Sequence, residues 1–466
     1  MRKWLYGGVL AVALMPLLAG SAQPGNEVCG DRRGDRLFNV RDFGAKGDGT
    51  AKDTAAIQAA IDAAAGGGEV LLPAGVYLSG SLFLKSGVDF HLAEGATLKG
   101  SPDPADYNAP DVAPQNFGRL GQGDNTSGGH LLCCIEQENV TVRGPGKIDG
   151  NVGAFLKMPD GSHPKSKLQI PWRPSQMVWF VESRNIAIRD IELADAPYWS
   201  CFLHGCEEVT VERANIHTVR QPHTYNGDGL DIDSSRRVRV TGCRISTADD
   251  ALTLRADGRR LKRPGDCADV VVTDCTLSSD CNAIRLGVGA GHIHDCAFTD
   301  IRIEKTRYAV NAVGAWARVP TRGVDITNVG FTNLTVDAKG FCKFYYKTGT
   351  KSVFDGITFS HVRGRVRGPS IFEDTPQRPF LNLRFDDVRL EGESSPRILS
   401  QGPVPPLAVA DRSIRRAAAT PASCRGRAWA TPIRTAASRS RRWRRIRSAT
   451  GGRVWRSAAL ALEPSF

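Results

Sequence analysis

The sequence predicts an all-β chain wound as a parallel β-helix. Three observations lead there. From residue 186 onward one unit recurs, apolar–x–apolar–x–x–apolar–x–apolar. Its inner alternation is that of strands rather than of helix pairs. The copies return at unequal intervals of 21 to 38 residues, in the range of stacked supersecondary units. Such a unit buries its apolar face only against the next copy, so a long stack is required. A propeller is the competing architecture, but its blades of about 40 residues are more uniform than these intervals.

The elements follow in order. Arg2 and Lys3 precede an apolar run from Val9 to Leu18, and Gly20-Ser21-Ala22 offers a small-residue cleavage site. We read residues 1–22 as a signal peptide, and expect a periplasmic or secreted protein with no membrane span. Next comes one helix. Asp53 suits its N-cap, Ala56, Ile57, Ala60, Ile61 and Ala64 form its apolar stripe, and Gly66-Gly67-Gly68 ends it. Short β runs follow at Val70–Leu72, Val76–Leu78, Leu82–Leu84 and Val88–Leu92. A lone helix ahead of many short strands is expected to cap an all-β body.

The repeat itself reads Ile186, Ile188, Ile191, Leu193, then Val209, Val211, Ala214, Ile216, then Val238, Val240, Cys243, Ile245. It continues through Val270, Val272, Cys275, Leu277, a partial copy at Ile293, Cys296, Phe298, and Val329, Phe331, Leu334, Val336. A weaker Ile357, Phe359, Val362 and a last Leu383, Phe385, Val388, Leu390 complete it. Cys243, Cys275 and Cys296 share the third position in this alignment. Stacking inside the solenoid as small core residues is their expected role.

A second strand in each coil carries Leu230 and Ile232, Leu252 and Leu254, Ile284 and Leu286. Asp228, Asp250 and Asn282 each lie two residues before the first of a pair, and so occupy equivalent places in adjacent coils. Stacked strands sit about 4.8 Å apart. Asp228 and Asp250 are therefore expected as neighbours, with Asp249 beside them. The outward residues form columns, Asp231–Thr253–Arg285 and Asp233–Arg255, which suit ion pairing or sugar binding. Glycoside hydrolysis needs one carboxylic acid and one carboxylate, and crowding holds one of a close set protonated. Three Asp on neighbouring coils meet that demand with no cofactor. Asp and Gly also serve as plain turn residues, so neither stretch alone decides the matter.

Charge and cysteine usage bound the other classes. Of 61 basic and 49 acidic residues, 14 and 2 lie in 401–466, which leaves 47 of each in residues 1–400. The body is neutral, and no nucleic-acid partner is expected for it. The cysteines do not group with histidines in a metal-ligand pattern, so no metal site is expected.

Asn226-Gly-Asp-Gly…Asp231-Ile-Asp-Ser234 followed by Thr247-Ala-Asp-Asp-Ala-Leu-Thr-Leu-Arg255 resembles the two acidic motifs of glycoside hydrolase family 28, the polygalacturonases. The resemblance extends to 139–150, to Asp195–Ser200 and to Leu277–Gly287, and spans about residues 38 to 390. It implies a right-handed parallel β-helix and an inverting, metal-free hydrolase of pectic polysaccharide or oligosaccharide. It also implies Asp249 as the general acid, with Asp228 and Asp250 activating water. Two positions depart from the family. Its Gly-His-Gly histidine aligns with Asn282, and its carboxylate-gripping Arg-Ile-Lys aligns with Asn311-Ala312-Val313. Arg285 and Arg255 are the candidate replacements, the alternative being a subsite for a different sugar such as rhamnose within a pectin backbone, and His223 is a further candidate binding residue. Trp172, Tyr198 and Trp199 offer faces to sugar or to the core, and Arg173 offers a cation.

The expected organisation is thus a signal peptide (1–22), a β-helix glycosidase domain (23–395) and an Arg-rich irregular tail (396–466), in a monomer. The tail's abrupt change in charge and its lack of Lys suggest out-of-frame translation past about residue 405. A β-helix polysaccharide lyase and a non-catalytic carbohydrate-binding adhesin are the alternatives to the hydrolase.

Overall fold

A computed structural model describes residues 36–116, 127–156, 172–218, 226–315, 323–346, 351–373 and 380–392. Residues 1–22, the Arg-rich tail and His223 lie outside the described residues. These residues form a right-handed parallel β-helix in which every strand pairing is parallel. The coil has three sides. The first sheet stacks Val70, Phe90, Val142, Ile188, Val211, Val240, Val272 and Phe298 in register. The second carries Leu98, Ile148, Leu193, Ile216, Ile245, Leu277 and Ile303. The third runs through Leu132, Val178, Cys201, Leu230, Leu252, Ile284 and Val310. These side chains point inward, and all are buried.

The repeat has a corner inside it, which explains its broken alternation. In Ile186-x-Ile188-x-x-Ile191-x-Leu193 the third apolar residue follows the second by three, not two. Asp190 between them is left-handed, at φ 54°. Equivalent left-handed corners stand at Arg213, Gly242, Asp274, Asp300, Asn333, His361 and Asp387. A second series precedes the first apolar residue at Asn139, Asn185, Glu208, Arg237, Asp269, Asp295, Asn328, Gly356 and Asn382. One left-handed residue turns the chain and returns the next apolar side chain to the interior. Asn, Asp and Gly dominate these positions because they tolerate positive φ at least cost. Asn side chains also stack between coils: Asn185 Nδ2 donates to Asn139 Oδ1 at 2.6 Å, and Asn382 Nδ2 to Asp355 Oδ1 at 2.8 Å.

The register corrects one copy of the repeat. Phe298, not Ile293, stands opposite Val272 and Phe331. That copy therefore reads Cys296, Phe298, Ile301, Ile303, with Cys296 in the first position. Cys243 and Cys275 do share the third position and are buried, as is Cys296. The misalignment arose because Ile293 is also apolar and buried, but it belongs to the segment before the corner. With Phe298 in place an aromatic ladder appears. Phe298, Phe331, Phe359 and Phe385 stack with centroids 4.8, 4.7 and 5.1 Å apart and planes within 12°. Their spacing is that of the strands that carry them.

The helix Thr54–Ala63 closes the first coils, burying Ile57, Ala60 and Ile61. Gln58 gives it a specific hold on the strand Leu82–Phe83. Its amide donates to the Phe83 carbonyl (3.0 Å) and accepts from the Phe83 N–H (2.8 Å), as a neighbouring strand would. Asp53 stands at the N-cap position but makes no cap hydrogen bond. Its oxygens accept instead from the Lys46 and Gly47 amides at 2.7 and 2.9 Å, tying the preceding loop to the helix.

Phe331 packs between two rings of the ladder and is fully buried. Phe331→Ala is expected to cost about 3–5 kcal/mol of stability, read by denaturant unfolding against the parent chain. A loss below about 1 kcal/mol would mean that the ladder carries little of the core.

Candidate active site

The third sheet carries the acidic cluster at the entry to its strands. Leu230, Leu252 and Ile284 are paired, so Asp228, Asp250 and Asn282 fall in line two residues earlier. Backbone bonds fix the alignment. Gly229 N–H donates to the Asp250 carbonyl, Leu230 N–H to that of Ala251, and Ala251 N–H to that of Asn282, each at 2.9 Å. Gly229 is required there, because a Cβ would lie 2.4 Å from the Ala251 carbonyl oxygen. Asp249 sits on the turn before Asp250. Its carbonyl accepts from Thr247 Oγ1 (2.7 Å) and Ser279 Oγ (2.6 Å), and its N–H reaches the Gly227 carbonyl (3.3 Å). Hydroxyls from two coils thus clamp the turn that presents this carboxyl.

The side chains converge. Asn226, itself left-handed at φ 58°, approaches Asp249 Oδ2 through Nδ2 at 3.5 Å. Asp250 is held from both sides, by Asn282 Nδ2 on Oδ1 (2.5 Å) and by Arg285 Nη1 on Oδ2 (2.7 Å). Asn311 Nδ2 supports Asn282 Oδ1 at 3.1 Å. Acceptor atoms of Asp249, Asp250 and Cys281 lie within 4.8 Å of one another. Burial, then the charges of Asp249, Asp231 and Asp250, push the Asp228 pKa well above the carboxylate range. Burial, then the Asp250 charge, raises Asp249 to about 7. A carboxyl with that pKa can hold and donate a proton near neutrality.

The column beyond the trio runs Phe202, Asp231, Thr253, Arg285, Asn311, Lys343 in register. Among the described residues, both Asp231 carboxyl oxygens, Asp228 Oδ1, Thr253 Oγ1 and Asn311 Oδ1 are buried without a hydrogen-bond partner. Burial without hydrogen bonds is costly for such groups, and Asp231 Oδ1 lies 3.8 Å from the Arg255 guanidinium.

The predicted residues separate on inspection. Asp228, Asp249, Asp250, Asn282 and Arg285 come together. Arg255 does not join them at the surface. It is 4 % exposed, lies over the Trp199 ring at 4.5 Å, and sits 3.8 and 3.6 Å from Asp231 and Asp233. It is spent on internal charge balance, so the expected role in gripping a substrate carboxylate is not supported by its position. Trp199 and Tyr198 are buried and stacked on each other at 4.9 Å. Arg173 is also buried, covering Tyr198 at 4.6 Å and donating to the Pro197 carbonyl. Trp172 remains partly exposed, against Tyr107 and Phe155. Sequence reasoning missed Lys343 and Cys281. Lys343 sits two coils beyond Arg285 in the same column, with Nζ 5.0 Å from the Tyr345 ring centroid and 5.8 Å from that of Tyr308. Extending the Asp231–Thr253–Arg285 column by two coils finds it, once the intervals are counted from Phe298.

Burial raises Asp231 to about 8, Asp249 to about 7 and Asp233 to about 6. Between the unfolded value near 3.8 and these raised values, the folded chain binds more protons than the unfolded one. Its stability therefore falls as pH rises through that window. Asp231→Asn is expected to raise the melting temperature more at pH 8.5 than at pH 5. An equal shift at both pH values would contradict a protonated Asp231.

Comparison with known proteins agrees with the fold. Residues 120–262 match the model of glycosyl hydrolases family 28, and residues 37–144 match that of rhamnogalacturonase A/epimerase, pectate lyase-like. The chain is 30% identical over 263 residues to an exo-poly-alpha-D-galacturonosidase of Dickeya chrysanthemi, covering 47% of this chain and 42% of that protein. It is 26% identical over 360 residues to an endo-polygalacturonase of Pectobacterium parmentieri, covering 73% and 85%. The chain thus spans less than half of the Dickeya relative and most of the Pectobacterium one. The hyperthermoactive exopolygalacturonase from Thermotoga maritima shares the fold, with TM-score 0.61, 20% identity, and coverage of 77% and 87%. The acidic motifs lie inside the segment that matches family 28 of the glycosyl hydrolases, and the β-helix beneath them is the one the Thermotoga enzyme shares.

Proposed function

We propose that the chain hydrolyses glycosidic bonds of a pectic, uronate-bearing polysaccharide or oligosaccharide. The observation that carries this is the carboxyl cluster Asp228, Asp249 and Asp250, aligned on adjacent coils and crowded enough to hold protons near neutral pH. The relatives named galacturonosidase and polygalacturonase support the choice of substrate class.

Asp249, raised to about 7 by burial and by the Asp250 charge, is the general acid that protonates the leaving oxygen. Asp228 and Asp250 hold the attacking water and take its proton. Asn282 and Arg285 fix the Asp250 carboxylate, so that this oxygen pair does not rotate away from the water. A raised base pKa such as that of Asp228 makes a stronger base once the proton has left. Activity then requires Asp249 protonated and Asp228 deprotonated, which gives a bell-shaped dependence on pH.

The family's carboxylate clamp is replaced, not merely lost. Arg285 and Lys343 stand in one outward column with only Asn311 between them. They put two positive charges along the path a uronate chain would take, with Tyr308 and Tyr345 beside Lys343. Arg285 is engaged by Asp250, which leaves Lys343 as the better grip on a substrate carboxylate. Export from the cell, read from Met1–Ala22, accords with a polymer substrate that does not enter cells.

Asp249→Asn is expected to lower release of reducing ends from polygalacturonate by about 10²–10⁴-fold with the fold intact by circular dichroism. Unchanged turnover would remove Asp249 from the chemistry.

A further inference from the structure

Away from the acidic cluster, metal-binding side chains meet on another side of the coil. His292 and His294 lie two apart at the start of the strand His292–Val313, with Ile293 buried between them. Alternation along a strand puts both imidazoles on the outer face. Asp266 directly precedes the strand Cys267–Thr273, whose Cys267 pairs with Ile293. The register therefore brings Asp266 alongside the two histidines from the preceding coil. Donor atoms of all three lie within 4.8 Å of one another. The rings are 4.4 Å apart at their centroids, and Asp266 Oδ2 is 3.6 Å from His294 Nε2.

We propose that Asp266, His292 and His294 form a binding site for a zinc-type transition-metal ion. Two imidazoles and one carboxylate are ligands that such an ion favours, with water filling the fourth position. Zn–N and Zn–O bonds of about 2.0–2.1 Å at tetrahedral angles separate their ligand atoms by about 3.3 Å. The Asp266–His294 separation needs only a few tenths of an ångström of closure to match. The outer contacts also fit. His294 Nδ1 donates to Asp295 Oδ2 at 2.7 Å, which turns the Nε2 lone pair toward Asp266. A carboxylate on the far nitrogen is the usual support for a metal-bound histidine. His292 Nε2 is engaged by Thr327 Oγ1 at 2.7 Å, which leaves Nδ1 as its ligand atom.

The ion would join two coils at a useful place. Asp266 ends the crossing from Asp257, and that crossing lies against the buried acids Asp233 and Glu182. Its Asp257 N–H donates to Asp233 Oδ1 at 2.6 Å, and the Lys262 and Arg263 amides donate to Glu182 at 3.1 and 2.8 Å. A metal at Asp266 pins the far end of this segment to the next coil. The role is structural, and the glycosidic chemistry is independent of it. No spacing in the sequence marks this site, because Asp266 meets His292 and His294 only through the register between coils.

Calorimetric titration of Zn²⁺ into the chelator-stripped full chain, carrying no affinity tag, tests this. One equivalent is expected to bind and to raise the melting temperature. His292→Ala and His294→Ala are each expected to weaken binding by about tenfold or more, with zinc-free melting temperatures like the parent's. Asp249→Asn is expected to bind as the parent does, which separates this site from the acidic cluster. If a histidine variant does not fold, Asp266→Asn is read in its place with the same outcomes. Absence of saturable binding, equal affinity in the variants, or loss of binding in Asp249→Asn would each overturn the proposal and leave only a His294–Asp266 contact.

Discussion

Register between coils is the constraint on which this molecule depends. Every inward column, from Val70 through Phe298 on one sheet to Leu132 through Val310 on another, holds because each strand pairs in parallel with the next. A slip by one residue would exchange core and solvent faces along a whole strand. The left-handed corners protect against such a slip. They recur at matched places, Asn185, Glu208, Arg237 and Asp269 on one edge and Asp190, Arg213, Gly242 and Asp274 on the other. Each corner tells the chain where one side ends, so the apolar pairs flanking it cannot drift.

The same register builds the acidic site. Asp228 and Asp250 are neighbours because Leu230 and Leu252 are neighbours. Stacking carboxyls at strand spacing is costly, and the fold offsets that cost in two ways. Arg285 and Asn282 bind Asp250 directly. Protons then stay on part of the cluster, as the raised values at Asp249 and Asp231 record. Arg255 plays a similar part behind the floor, between Asp231 and Asp233 and under Trp199. A stack with fewer acids would be more stable, and the retained acids are what a hydrolytic site requires.

Much of this was legible in the sequence for a physical reason. Period-two alternation and a fixed apolar unit report strands and stacking directly, and equal offsets from Leu230, Leu252 and Ile284 report which side chains share a line. Less was legible where one coil lacks a clear apolar signature. Ile293 is apolar and buried outside the unit, so it displaced Phe298 in the alignment and hid both the aromatic ladder and the link from Arg285 to Lys343. Burial was the other blind spot. Arg255 faces outward from its strand, which in a bare sheet means solvent. The segment Asp257–Asp266 covers that ground, and nothing in its composition announces where it lies. Asp53 likewise had the right residue type for a cap but serves the preceding loop.

The central claim is that Asp228, Asp249 and Asp250 cleave a uronate glycoside by direct attack of water. The most direct measurement is proton NMR of the first product released from an oligogalacturonate, recorded before mutarotation. A water held by Asp228 and Asp250 opposite the Asp249 proton predicts the β-anomer first from an α-linked substrate, with no unsaturated sugar. Initial α-anomer, or an unsaturated product, would contradict it.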